Sequence, residues 1–169
     1  MIRKIALMGL MAAAASVLFT IESLIPTPLP WIRLGLANLV TLLALKWWSV
    51  RDAAIVFLVR LMLGGLLLGR LFDPLFFFSL SGGITALVTM AFFMRWEGRI
   101  FSLVGISIAG AVMHNAVQLI VAYLGYVRHV QVFRLMPVLI INGSIAGGLI
   151  GVLALLVDRR LQNEVGNNP

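Results

Sequence analysis

The sequence predicts an all-α integral membrane protein, a bundle of six transmembrane helices with both termini in the cytoplasm. Composition is the first reason, because 62% of the 169 residues are hydrophobic and only 11% are charged. Soluble domains are about 45–50% apolar and about 25% charged. With a mean hydropathy of +1.08, a small globule cannot bury all of its apolar surface, so lipid must solvate the rest.

The second reason is a pattern of six apolar segments separated by short polar connections. Because about 20 apolar residues in a helix cross a bilayer, we interpret each segment as a membrane helix, the second being short. The predicted helices cover residues 5–22, 34–48, 53–69, 74–94, 100–125 and 135–157. They form one domain over residues 1–158, and a polar cytoplasmic tail follows over residues 159–169.

Turn-forming residues and basic residues support this plan. Three prolines between residues 26 and 30 end the first helix and stiffen the next loop, and Asp73-Pro74 is a typical helix start. The first segment resembles a signal peptide, but its apolar run continues to Ile21, which favours a membrane helix. Eight Lys or Arg residues fall on the side of the termini and four on the other side, which predicts cytoplasmic termini.

The net charge of +7 follows from those basic loops, and the absence of a basic stripe excludes nucleic acid as the expected partner. No catalytic site is recognisable. The sequence has no cysteine, its two histidines, His114 and His129, are not spaced as a metal pair, and it contains neither an Asp-rich magnesium–diphosphate motif nor a P-loop. We therefore expect no enzymatic activity and no cofactor or metal.

Small residues four apart predict close helix contacts. On the sixth helix, Gly143, Gly147 and Gly151 indicate packing inside the bundle. On the first helix, the alanines of residues 12–15 and Ser16 form a smooth patch. This patch suits internal packing and an external partner helix equally well.

Polar side chains at membrane depth are expensive, so each needs a partner or a function. Arg60 lies about seven residues into the predicted third helix, about 10 Å from its cytoplasmic end. That is too deep for the guanidinium to reach the membrane surface. It predicts either a structural ion pair or hydrogen-bonded guanidinium, or a contact with an anion or head group.

The fifth helix carries His114, Asn115 and Gln118 on about a third of its circumference. With the predicted helix directions, Asn115 and Gln118 lie in the outer half of the membrane, as do Asn38, Asn142, Ser79 and Ser81. A shared depth predicts a pocket open to the outside and covered by the proline-rich loop of residues 22–31. Interhelical hydrogen bonding alone is the alternative.

Three segments of the chain resemble one known family. They are residues 32–45 (IRLGLANLVTLLAL), residues 78–83 (FSLSGG) and residues 110–118 (GAVMHNAVQ). With the hairpin plan, they resemble the Gx transporter family, often labelled heptaprenyl diphosphate synthase component I. That family is similar to the substrate-binding S components of energy-coupling factor (ECF) transporters.

The resemblance implies a six-helix bundle in the plasma or inner membrane of a prokaryote that binds a small molecule from the outer side. In such transporters, small residues of the first helix dock a transmembrane coupling protein that connects to ATPase subunits. The matching positions here are Ala12, Ala13, Ala15 and Ser16, of which Ser16 departs from an alanine-only pattern. The ligand would be vitamin-like or, from the family label, isoprenoid- or quinone-like.

Two functions remain open from the sequence. A transport subunit would bind its ligand through Asn38, Arg60, His114, Asn115, Gln118 and Asn142. A non-catalytic scaffold would instead recruit a polyprenyl synthase or a quinone-linked electron-transfer protein through the cytoplasmic residues 95–99. An isoprenoid carrier that works without ATP is a third possibility.

Overall fold

A computed structural model describes residues 2–25 and 35–166, with side chains up to residue 163. The described residues form six α-helices and no β-strand. These helices are α1 (Ile2–Leu24), α2 (Leu36–Trp47), α3 (Val50–Leu67), α4 (Pro74–Met94), α5 (Leu103–Ala122) and α6 (Met136–Gly166). A π-helical turn (Tyr123–Val127) and a 3-10 helix (Val130–Leu135) connect α5 to α6.

Side-chain caps start three of the helices. The Ser49 hydroxyl accepts a hydrogen bond from the Asp52 amide at 3.2 Å, and the Asp73 carboxylate accepts one from the Phe76 amide at 2.7 Å. The Ser102 hydroxyl caps α5 in the same way. Each cap satisfies an amide that has no partner within its helix. The predicted start of α4 at Asp73-Pro74 is confirmed.

The small residues of α6 let it pack closely on α5. A Cβ atom added at Gly147 would lie 2.7 Å from the Ile108 Cα, and one at Gly151 would lie 2.6 Å from the Val104 Cα. Only hydrogen fits at these two positions, because the opposing atoms belong to the backbone of α5. The predicted packing of this glycine series inside the bundle is confirmed.

Polar contacts tie the described parts of both chain ends to one end of the bundle. The Lys4 ammonium contacts the Asp52 carboxylate at 2.7 Å, and the Trp47 indole donates to the Asp158 carboxylate at 2.6 Å. These pairs place the start of α1 and the last turns of α6 beside the α2–α3 connection. We call this end of the bundle the terminal end; that it faces the cytoplasm stays a prediction.

The α2 helix is short and is enclosed by the bundle over most of its length. All residues from 40 to 45 are buried, as expected of a helix that is apolar on every side and surrounded by protein. Its 12 residues span about 18 Å, less than the hydrocarbon core of about 30 Å.

Among the described residues, four helical stretches are long and apolar enough to cross a membrane: those containing α1, α4, α5 and α6. The α3 helix contains three charged residues, Arg51, Asp52 and Arg60. The fold is that of a multi-pass membrane protein, and the count of six spans stays a prediction.

The helix boundaries differ from the predicted ones mainly at α6. It continues to Gly166, so residues 159–166 extend the helix rather than form an irregular tail. The predicted helix ended before Asp158 because polar residues begin there and the apolar pattern stops. Helical hydrogen bonding does not require apolar side chains, so the helix continues past that point.

Candidate ligand-binding cavity

A cavity lies between the helices and extends to the end of the bundle opposite the terminal end. The space between its lining residues, including open solvent, has a volume of about 780 Å³. All six helices contribute to its wall. Five of the six residues predicted to bind a ligand line this cavity: Asn38, Arg60, His114, Asn115 and Gln118.

Arg60 lies in the middle of α3 and is 6% exposed. The guanidinium Nη2 donates to the Asn38 side-chain oxygen at 2.7 Å. The guanidinium carbon lies 5.2 Å from the centre of the Phe57 ring, at cation–π distance. Arg60 is ten residues after the start of α3, about 15 Å along its axis, which is deeper than the sequence predicted.

Glu22 is a cavity residue that the sequence analysis missed. Glu22 is 4% exposed, and its carboxylate accepts hydrogen bonds from the Gly35 amide and, at 3.1 Å, from the Leu36 amide. A carboxylate at a helix N-terminus satisfies free amides and interacts favourably with the helix dipole. Glu22 therefore attaches the end of α1 to the start of α2. The signal available in the sequence was the position of this carboxylate at the end of a predicted membrane helix.

Two buried amide side chains of α5 contact neighbouring helices. The Asn115 Nδ2 donates to the Leu139 carbonyl at 2.9 Å, and the Gln118 Nε2 donates to the Phe78 carbonyl at 3.2 Å. Since a carbonyl only accepts, the second contact fixes which end of the Gln118 amide points away. Among the described residues, that remaining atom, Gln118 Oε1, is buried and has no hydrogen-bond partner.

The His114 ring packs against a glycine of α4. A Cβ atom added at Gly82 would lie 2.8 Å from the His114 Cε1, so any side chain there would displace the imidazole. This contact places the segment of residues 78–83 beside the segment of residues 110–118, and both segments contribute residues to the cavity wall.

Asn142 does not line the cavity, and its role as a binding residue stays a prediction. The neighbouring Gly143 lines it instead. Successive residues of a helix point about 100° apart, so the rotation of α6 that directs Gly143 inward directs Asn142 elsewhere. The Asn142 Nδ2 is buried without a hydrogen-bond partner among the described residues.

The predicted docking face of α1 lies mostly inside the bundle. Ala12, Ala15 and Ser16 are at most 3% exposed and pack inside the bundle, and the Ser16 hydroxyl donates to the Ala12 carbonyl at 2.8 Å. Only Ala13 of the four predicted residues is exposed. The docking of a partner protein stays a prediction, but three of its four residues are unavailable for it.

The predicted cover of the pocket lies mostly outside the described residues, which resume at Gly35. Within the described part of the chain, no three His, Asp or Glu side chains are grouped so that they could hold a metal ion. The cavity as described is a mixed polar and apolar space with one buried carboxylate and one buried guanidinium.

Comparison with known proteins identifies the family. Residues 11–157 match the family described as heptaprenyl diphosphate synthase component I. The match covers most of the chain, so the protein belongs to this family, as its sequence segments predicted. No curated protein and no solved structure matched the chain.

Proposed function

We propose that this protein is the substrate-binding membrane subunit of an ATP-driven uptake transporter, similar to an ECF S component. It would bind a small molecule, vitamin-like or isoprenoid- or quinone-like, from the outer side of the membrane. It would not be an enzyme, and a coupling protein with ATPase subunits would supply the energy.

One observation supports this proposal most strongly: buried polar side chains of α1, α3 and α5 and the half-buried Asn38 of α2 converge on one cavity. Side chains that only hold helices together have no reason to converge around empty space. At Gln118, one amide atom is already bound to the backbone of α4 while the other faces no partner among the described residues. An unpaired buried carbonyl costs about 1–3 kcal/mol, and a ligand with a hydrogen-bond donor removes that cost.

The proposal is tested by purifying the protein in mild detergent and identifying bound small molecules by native mass spectrometry. We expect a ligand at one copy per chain. Gln118→Leu should weaken its binding about 5- to 150-fold, from the cost of about 1–3 kcal/mol for an unpaired donor.

Gln162→Leu is the matched control, because it makes the same chemical change at an exposed position of α6 outside the cavity. It should leave the ligand bound. A folded preparation with no ligand, or equal losses in both variants, would contradict the proposal and favour the scaffold function.

Energy coupling needs a separate measurement. We expect uptake of the identified ligand into proteoliposomes only when ATPase and coupling subunits are reconstituted with this protein. Uptake without them would instead identify a carrier that works alone.

A further inference from the structure

The cavity has two chemically different ends. The part nearer the α1–α2 connection, which we call the polar end, contains Glu22, Asn38, Arg60 and Gln118. The inner part of the cavity, which we call the apolar end, is lined by Ala86, Met90, Ala146 and Ile150. Ser107 is the polar side chain at that end.

The cavity is also elongated. Its wall on α5 runs from Ser107 to Gln118, and its wall on α4 runs from Ser79 to Met90. Each stretch covers eleven residue steps, or about 16 Å at 1.5 Å per residue. Two antiparallel helices therefore give the same length, with the polar end at one extreme and the apolar end at the other.

Small residues determine the width of the cavity along the stretch between its two ends. Gly110, Ala111 and Gly147 line the cavity along its length. A Cβ at Gly110 would lie 2.6 Å from the Met90 side chain, so the walls are already in contact beside the open space. The space suits a narrow chain or a flat ring better than a bulky group.

The polar end requires a specific partner. Gln118 is 3% exposed, and its Oε1 has no partner among the described residues. The contact of its Nε2 with the Phe78 carbonyl fixes Oε1 as the free atom. A carbonyl oxygen only accepts hydrogen bonds, so the complementary group on a ligand is a hydroxyl or an N–H.

We propose that the natural ligand is an elongated amphipathic molecule, with a hydroxyl or N–H head at Gln118 and an apolar tail extending toward Met90 and Ile150. This inference rests on the proposed function, because it specifies the ligand class of the same cavity. Burial of the tail would favour binding because it removes apolar surface from water.

The test is photoaffinity labelling of the wild-type protein in lipid nanodiscs with 1-decanol that carries a diazirine at its tail end. Labelled residues are mapped by mass spectrometry of peptides. We expect labelling on the cavity side of α4 and α6, at or beside Met90 and Ile150. Unlabelled 1-decanol should compete for this labelling at least about fivefold better than decyl methyl ether, which has no donor for Gln118.

Gln118→Leu should remove the difference between decanol and its ether while leaving labelling of the lipid-facing Val88 unchanged. Labelling confined to exposed residues such as Val88 would overturn the inference, as would labelling at the polar end alone. So would a co-purified ligand that is compact and polar throughout, although that result would leave the proposed transport function standing. Failure of the proposed function is recognised separately, by a folded preparation that contains no ligand.

Discussion

Two adjacent glycines of α6 provide a direct test of the helix packing that builds the cavity. Gly147→Ala places a Cβ atom 2.7 Å from the Ile108 Cα and 2.9 Å from the Ser107 carbonyl oxygen. Both opposing atoms belong to the α5 backbone, so they cannot move without shifting the helix. Gly148→Ala meets its nearest atom, the Ile108 Cδ1, at 3.9 Å, which is ordinary contact.

The expected difference in the free energy of unfolding follows from the comparison of the two variants. Both changes replace glycine by alanine within one helix, so the gain in helix propensity of about 1 kcal/mol is common to both. The difference between them is then the cost of overpacking, about 1–3 kcal/mol. We expect Gly147→Ala to have the lower free energy of unfolding by this amount.

The assay is reversible unfolding in mixed micelles, with helix content followed by circular dichroism as the fraction of denaturing detergent rises. Gly148→Ala should be as stable as the wild type or slightly more stable. Equal stability of the two variants would refute the close α5–α6 approach, and a larger loss for Gly148→Ala would indicate a different rotation of α6.

Two further predictions concern contacts on either side of the bundle. Gly82→Ala should destabilise the protein by about 1–3 kcal/mol, because the added methyl group meets the His114 ring. Most of this loss should disappear in a His114→Ala background. If a double-mutant cycle shows the same loss in both backgrounds, the contact is absent. Trp47→Phe should lower the free energy of unfolding by about 1.5–3 kcal/mol, the usual range for a hydrogen bond to a charged group such as Asp158. The same change at Trp48 is the control, and equal effects of the two changes on thermal melting would contradict this assignment.

The sequence predicted best what local chemistry controls. Asp73 and Pro74 define the start of α4 by capping and by the fixed proline backbone, and the predicted bounds of 74–94 match those observed. The spacing of Gly143, Gly147 and Gly151 identified a packing face, because only small residues let helix backbones approach. Both signals act within a few residues of chain.

The sequence also predicted much of the cavity. Amide side chains at similar depth were expected to converge, and Asn38, Asn115 and Gln118 do line one space, together with Arg60, which was predicted separately as a ligand contact. This inference works because polar side chains are costly in an apolar environment and therefore face the interior of the bundle. Glu22 was missed because it was assigned to the loop after the first helix, although it is the carboxylate that joins α1 to α2.

The predicted docking face of α1 and the predicted orientation of Asn142 differ from the structure for a common physical reason. A run of four alanines has no polar side to mark its outer face, so nothing in residues 12–15 distinguishes Ala13, which is exposed, from Ala12 and Ala15, which are buried. The same ambiguity affected Asn142, whose neighbour Gly143 lines the cavity instead.

The sequence by itself therefore determined that this chain is a multi-pass helical membrane protein, where most of its helices begin, and which polar residues needed a partner. The tertiary structure alone decided how each apolar helix is rotated about its axis, and hence which side chains face the cavity. Hydropathy can fix the position of such a helix along the chain, because lipid and protein interior differ from water. It cannot fix the rotation, because lipid and protein interior are almost equally apolar and only the shapes of neighbouring helices distinguish them.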